Sequence, residues 1–200
     1  MKRYVALVVL LCLLALAPRV FADTYSTFQT TRYYSANRCY LVVVTQNKHA
    51  MLYRNGRGLR RVWSRTLLEL PQELFVTNDG KRVAIVDRYY GNGGSPGTPV
   101  VIILGESGER ISSHSLGEVA NLKRVVQTIS AAHWYSEAGL APDEEVLMIE
   151  TIATKRDWDE CLRTLPPEEK QKCWETVPYQ QLRFSLSSGE LVERLSLVSK

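Results

Sequence analysis

The chain has 200 residues, 45% of them hydrophobic and 23% charged, with a net charge of +4. The excess of positive charge does not point to nucleic acid. Residues 1–22 hold three of the 25 basic side chains and none of the 21 acidic ones, so the remainder carries only +1. The 178 residues that follow suit one domain with a real core.

The first 22 residues read as an export signal. Lys2 and Arg3 form a positive start, residues 4–17 are almost wholly apolar but short for a membrane span, and Val20-Phe21-Ala22 presents small residues to a signal peptidase. The expected location is the periplasm or the exterior, with the membrane met only through this signal. Cys12 falls in the removed segment. An uncleaved anchor is the alternative.

Three units follow, at about 30–68, 72–115 and 124–198. In the first, strands are expected at 40–45, 49–54 and 59–68 after an extended aromatic run at 24–34, with turns at 35–39, 47–48 and Asn55-Gly56-Arg57-Gly58. The second is the clearest. Two β-rich runs flank Asn78-Asp79-Gly80, whose residues accept positive φ, and a third run at 100–104 turns at Gly108 into a fourth at 110–114. Between them residues 89–99 are too rich in Gly and Pro for regular structure. Ser115-Leu116-Gly117-Glu118 has the form of a capping box for one or two helical turns. The third unit is interrupted: a strand at 124–130, a loop at 131–143 carrying His133, Trp134 and Tyr135, a strand at 145–153, an insert at 154–178 with two short helices, and a closing hairpin at 179–198.

Export implies an oxidising compartment. Cys161 and Cys173 share the insert and are the expected disulfide, which would stabilise the fold by roughly 3 kcal/mol. Cys39 is then left over, and its place before Tyr40 and Leu41 reads as a small buried hydrophobe.

Asn37 and Asp79 mark equivalent turns, and Gly58, Gly108 and Gly189 each precede a strand. Four-stranded units near 40 residues apart are a propeller-like signature. Residues 77–87 (Thr-Asn-Asp-Gly-Lys-Arg-Val-Ala-Ile-Val-Asp) followed by 101–111 (Val-Ile-Ile-Leu-Gly-Glu-Ser-Gly-Glu-Arg-Ile) resemble the blade repeats of bacterial extracytoplasmic β-propeller proteins. Over roughly residues 30–198 the chain is similar to a group of small secreted bacterial proteins built from such units. The resemblance implies a fold and carries no catalytic residues. Three units are too few to close a ring. The expected architecture is therefore all-β: three blade-like antiparallel sheets in an open, incomplete propeller-like arc, with a short disulfide-stapled helical insert.

Candidate sites are few. Gly93-Gly94-Ser95-Pro96-Gly97 matches the G-x-S-x-G pattern of serine hydrolases, but Pro96 and Pro99 block the helix that a nucleophile elbow requires. No metal pattern is present, and no cofactor is expected. His133, Trp134 and Tyr135 offer aromatic faces for a sugar or peptide, or else a plug against a sheet end. Arg54, Arg57, Arg60, Arg61 and Arg65 crowd the first unit. Strand alternation puts Arg61 and Arg65 on one face and Arg60 opposite, as a plain charged surface or else a site for an anionic envelope polymer or for the acidic third unit of a neighbouring molecule. Glu137, Asp143, Glu144, Glu145, Asp157, Asp159 and Glu160 make the third unit acidic. The function expected is a non-catalytic exported binding or structural module, meeting another envelope protein, an anionic polymer or a second copy in a weak homodimer. The alternative is a hydrolase using Ser95 or His133.

Overall fold

A computed structural model describes residues 29–68, 70–87, 95–120, 125–127, 132–151, 163–164, 166–168 and 179–197. Residues 1–22, Cys161, Cys173 and most of the expected insert lie outside these.

Each of three antiparallel sheets takes its four strands in chain order. The first holds β1 (Thr31–Tyr34), β2 (Tyr40–Val44), β3 (His49–Asn55) and β4 (Leu59–Thr66). The second holds β5 (Glu73–Val76), β6 (Val83–Val86), β7 (Pro99–Leu104) and β8 (Arg110–Ser115). A short helix α1 (Leu116–Val119) follows, with the Ser115 N–H donating to the Glu118 carboxylate at 2.7 Å. A two-residue ladder, β9 (Val126–Gln127) with β10 (Ala132–His133), precedes the third sheet. That sheet holds β11 (Tyr135–Leu140), β12 (Val146–Thr151), β13 (Tyr179–Ser185) and β14 (Leu191–Leu197). Strands β1 and β11 both touch β5, so the inner strands converge on one side and the sheets fan out as blades. The arrangement is all-β, propeller-like and open.

The third unit differs from expectation at its start. The first strand of its sheet is β11, not 124–130. Tyr135-Ser136-Glu137-Ala138-Gly139-Leu140 has poor strand propensity. It is extended because it pairs with β12 and buries Tyr135 in the core.

The repeat is physical as well as numerical. In each β1–β2-type turn the first N–H donates to the carbonyl five residues on: Ser35 to Tyr40 (3.0 Å), Thr77 to Arg82 (3.1 Å), Ala141 to Val146 (2.8 Å). The third residue's side-chain oxygen accepts from the amide two on, Asn37 from Cys39, Asp79 from Lys81 and Asp143 from Glu145, at 2.9, 2.9 and 3.1 Å. The fourth residue is left-handed each time: Arg38 (φ 59°), Gly80 (φ 71°), Glu144 (φ 58°). Asn37 and Asp79 are thus equivalent as expected, and Asp143 completes the set. Cys39 is free, but it is exposed rather than buried. It occupies the turn position of Lys81 and Glu145, which point to solvent in their own sheets.

Each outer strand carries a bulge at the same place, so that Val62, Ile111 and Val192 are unpaired against the neighbouring strand. The bulge corrects the expected placing of the arginines. Trp63 pairs with buried Leu52 and Arg65 with buried Ala50, whereas Arg61 pairs with Tyr53 on the opposite face. One inserted residue shifts the alternation and separates Arg61 from Arg65.

Two cores result. The forward face of the first sheet (Val42, Val44, Leu52, Trp63) packs on the rear face of the second (Leu74, Val76, Ile85, Leu104). The forward face of the second (Ala84, Val86, Ile103) packs on the rear face of the third (Leu147, Ile149, Phe184). Among the described residues only the middle sheet has both faces covered by sheets, which is why every residue of β6 is buried. At both junctions an outer strand also grips a glycine turn of the next sheet. Trp63 lies over Gly108 and Arg65 Nη1 donates to its carbonyl, while Ser112 lies over Gly189 and His114 Nε2 donates to its carbonyl at 2.6 Å.

Candidate functional site

The first junction opens at one end into a cleft of about 540 Å³. Leu67, Leu70 and Pro71 form one wall, Ile85 and Ile102 the other, and Arg65 and Arg110 stand at its edge. Arg65 points inward because the alternation restarting at Trp63 puts it on the forward face. Its Nη1 is held by Gly108, but its buried Nε has no hydrogen-bond partner among the described residues. Leaving such a donor unmet costs about 1–3 kcal/mol. Because Arg65 lines the cleft, a small shift of its guanidinium would bring this donor to an oxygen acceptor on a ligand. The cleft is therefore apolar along its length with a cationic donor at one side.

A second opening, of about 700 Å³, lies between the inner turn of the second sheet and the turns of the third. Its groups are largely engaged with each other. The Asn78 N–H donates to the Glu144 carboxylate, Arg82 Nε donates to the Leu186 carbonyl at 3.0 Å, and the Thr77 hydroxyl donates to Asp79 at 2.7 Å. Burial alone would raise the Asp79 carboxyl, but the Thr77 hydroxyl, the Lys81 amide and the charges of Lys81 and Arg82 outweigh it and hold it below the usual range. A depressed carboxyl stabilises the fold above the unfolded-state value, about 3.9, and this contribution is lost as pH falls through the folded value. We expect Asp79→Ala to lower stability at neutral pH by about 1 kcal/mol. Asp79→Asn keeps the acceptor, as Asn37 does in the first sheet, and its small deficit should vanish in acid. Chemical denaturation of both variants at neutral pH and near pH 3 checks this.

The other candidates are placed as follows. Trp134 and Tyr135 are each 1% exposed. Trp134 donates from Nε1 to the Asp87 carbonyl at 2.7 Å and meets Tyr135 edge-on, with ring centroids 4.9 Å apart. These two side chains plug the second junction and present no face to solvent. His133 lies in β10, and its side chain is outside the described set. Arg57 is exposed in the β3–β4 turn. Ser95 is exposed in a turn closed by Thr98 N–H to the Ser95 carbonyl at 3.0 Å, and the chain then enters β7 rather than a helix. That setting lacks the strand-to-helix elbow of the hydrolase motif. The sequence did not mark Leu70, Pro71 or Arg110 as neighbours of Arg65: Arg110 lies 45 residues away, and the side on which Arg65 emerges depends on the bulge at Val62.

On the third sheet Glu137 stands opposite Glu150. Burial, then the charge of Glu137, raise the Glu150 carboxyl above its ordinary value, and the Gln181 side chain only partly offsets them.

Neither a family model nor a curated protein matches the chain. Similar solved structures include hydrazine synthase of Kuenenia stuttgartiensis (11% identity, TM-score 0.43, 84% of this chain and 36% of that one). Sqt1 of Chaetomium thermophilum is another (16%, 0.40, 87% and 36%), as is the WD40 domain of SCAP from fission yeast (12%, 0.38, 84% and 33%). This chain spans about a third of each of those structures. At these scores they add nothing to what the sheets and their repeated junctions establish.

Proposed function

We propose that this is an exported, non-catalytic binding module, and that the cleft between the first and second sheets takes an apolar chain bearing an anionic or hydrogen-bond-accepting group. The observation that carries the reading is Arg65, whose buried Nε lacks a partner beside the apolar walls of Leu70, Pro71 and Ile102. Hydrophobic walls with one well-placed polar group are the usual makeup of a small-molecule site. Export directed by residues 1–22 is part of this reading: it would bring the protein to the envelope, where amphiphiles and other proteins are available partners.

Dodecanoate is a suitable probe. Calorimetric titration should show saturable binding to the native protein. Leu70→Trp, which fills the cleft, should abolish it, and Arg65→Gln should weaken it by about five-fold or more. Absence of binding, or binding indifferent to Leu70→Trp, would overturn the proposal. Labelling of Ser95 by a fluorophosphonate would favour the hydrolase instead.

A further inference from the structure

The two junctions follow one rule: a forward face meets a rear face, and an outer strand covers the next sheet's glycine turn. Among the described residues two surfaces remain outside it, the rear face of the first sheet and the forward face of the third. They differ from the interior faces in a matched way. On the rear face, Arg32 replaces the position of Leu74, and Arg61 and Tyr34 are exposed beside half-buried Val43, Met51 and Tyr53. Residues 29–66 contain no Asp or Glu at all. The forward face of the third sheet carries Glu137, Glu150 and Glu193, with Arg183 paired to Glu193 at 2.9 Å, where the second sheet has Val86 and Ser112 at the positions of Glu150 and Glu193. Its excess is negative.

The glycine turns tell the same story. A Cβ at Gly108 or Gly189 would strike the preceding sheet's outer strand, whereas one at Gly56 or Gly58 in the first sheet would meet nothing within 4 Å. The turn bearing Arg57 holds the same place between the third and fourth strands but is uncovered, and it lacks the left-handed glycine of the two covered turns. By the bulge register, the residue of the third sheet that corresponds to Trp63 and Ser112 is Glu193.

We infer that the open ends are completed by a second copy of this chain, the forward face of each third sheet docking on the rear face of the other's first sheet, to give a closed ring of six sheets from two chains. Glu193 then lies over the Arg57 turn, and Glu137 and Glu150 face the side bearing Arg32 and Arg61. Head-to-tail contacts of this kind close when the rotation brings the last face back to the first. The like-charged Glu137–Glu150 pair, costly when left alone, gains cations across the contact. The inference does not depend on what the cleft binds.

The test is sedimentation of the purified chain, the charge-reversed variant Arg32→Glu/Arg61→Glu, and the variant Glu137→Lys/Glu150→Lys, each first shown to be folded by its thermal transition. The native chain should be a dimer at tens of micromolar in low salt and dissociate as salt is raised. Each variant alone should be weaker by about ten-fold or more, and an equal mixture of the two should regain the dimer, because one interface then pairs the two native faces and the other pairs the two reversed faces. A native chain that stays monomeric in low salt, variants that dimerise as well as the native chain, or a mixture that stays monomeric would each overturn the ring. So would open-ended polymers. Dodecanoate binding by a monomeric variant keeps this outcome separate from the cleft.

Discussion

Replacing Trp134 by alanine is expected to destabilise the fold by about 3–5 kcal/mol, among the larger effects a single substitution gives. The side chain is 1% exposed, meets Tyr135 edge-on and joins the cluster in which the second and third sheets meet. Its indole also ties β11's entry to the Asp87 carbonyl at the end of β6. Alanine removes the ring volume and the hydrogen bond together. Phenylalanine keeps most of the packing and loses only the bond, so Trp134→Phe should cost nearer 1 kcal/mol. Thermal denaturation separates the two, with a fall in midpoint of roughly 10 °C or more for alanine. A midpoint unchanged by Trp134→Ala would show that this residue is a solvent-facing contact and not a plug.

Gly108→Val should be nearly as damaging. Gly108 has φ of 81°, and a Cβ there would sit 2.9 Å from the Trp63 ring. A β-branched residue in the left-handed region is strained by about 1–3 kcal/mol before any clash is counted. The clash adds to this, because Trp63 is held between the sheets by Leu52 and the rest of the first core. Gly58→Ala is the control: nothing lies within 4 Å of its Cβ, so its effect should stay within about 0.5 kcal/mol. Combining Gly108→Val with Trp63→Ala should relieve the clash and leave the backbone strain, a non-additive result that denaturation of the four proteins would reveal. Full additivity would mean that Trp63 does not cover this turn.

The sequence by itself determined the strands that carry strong β propensity between strong turns, and the equivalence of those turns. β2, β3, β6, β7 and β13 fall where their runs of Val, Ile, Leu, Tyr and Phe predict. Asn37 and Asp79 are legible because an Asx side chain closes its turn with an amide only two residues away, so the information is local. Gly108 and Gly189 are legible because each holds a left-handed φ in its turn, 81° and 76°, which Gly58 does not share. The surplus of arginine in the first unit and of acid in the third is likewise written in composition.

Tertiary structure alone decided the rest. β11 is a strand because β12 supplies its hydrogen bonds, although Ser136, Glu137 and Gly139 do not favour one. The side of the sheet on which an arginine emerges depends on the bulge at Val62, a mismatch between two strands that neither strand encodes alone, and it sends Arg65 into the cleft and leaves Arg61 outside. Trp134 is buried because two sheets close over it, and Cys39 is exposed because its turn position points to solvent whatever residue fills it. The cleft exists only where Arg65 of the first sheet, Leu70 and Pro71 of the connection after it, and Ile102 of the second sheet come together. Local hydrogen bonds can be read along a chain, whereas faces, junctions and cavities follow from contacts between residues far apart in it.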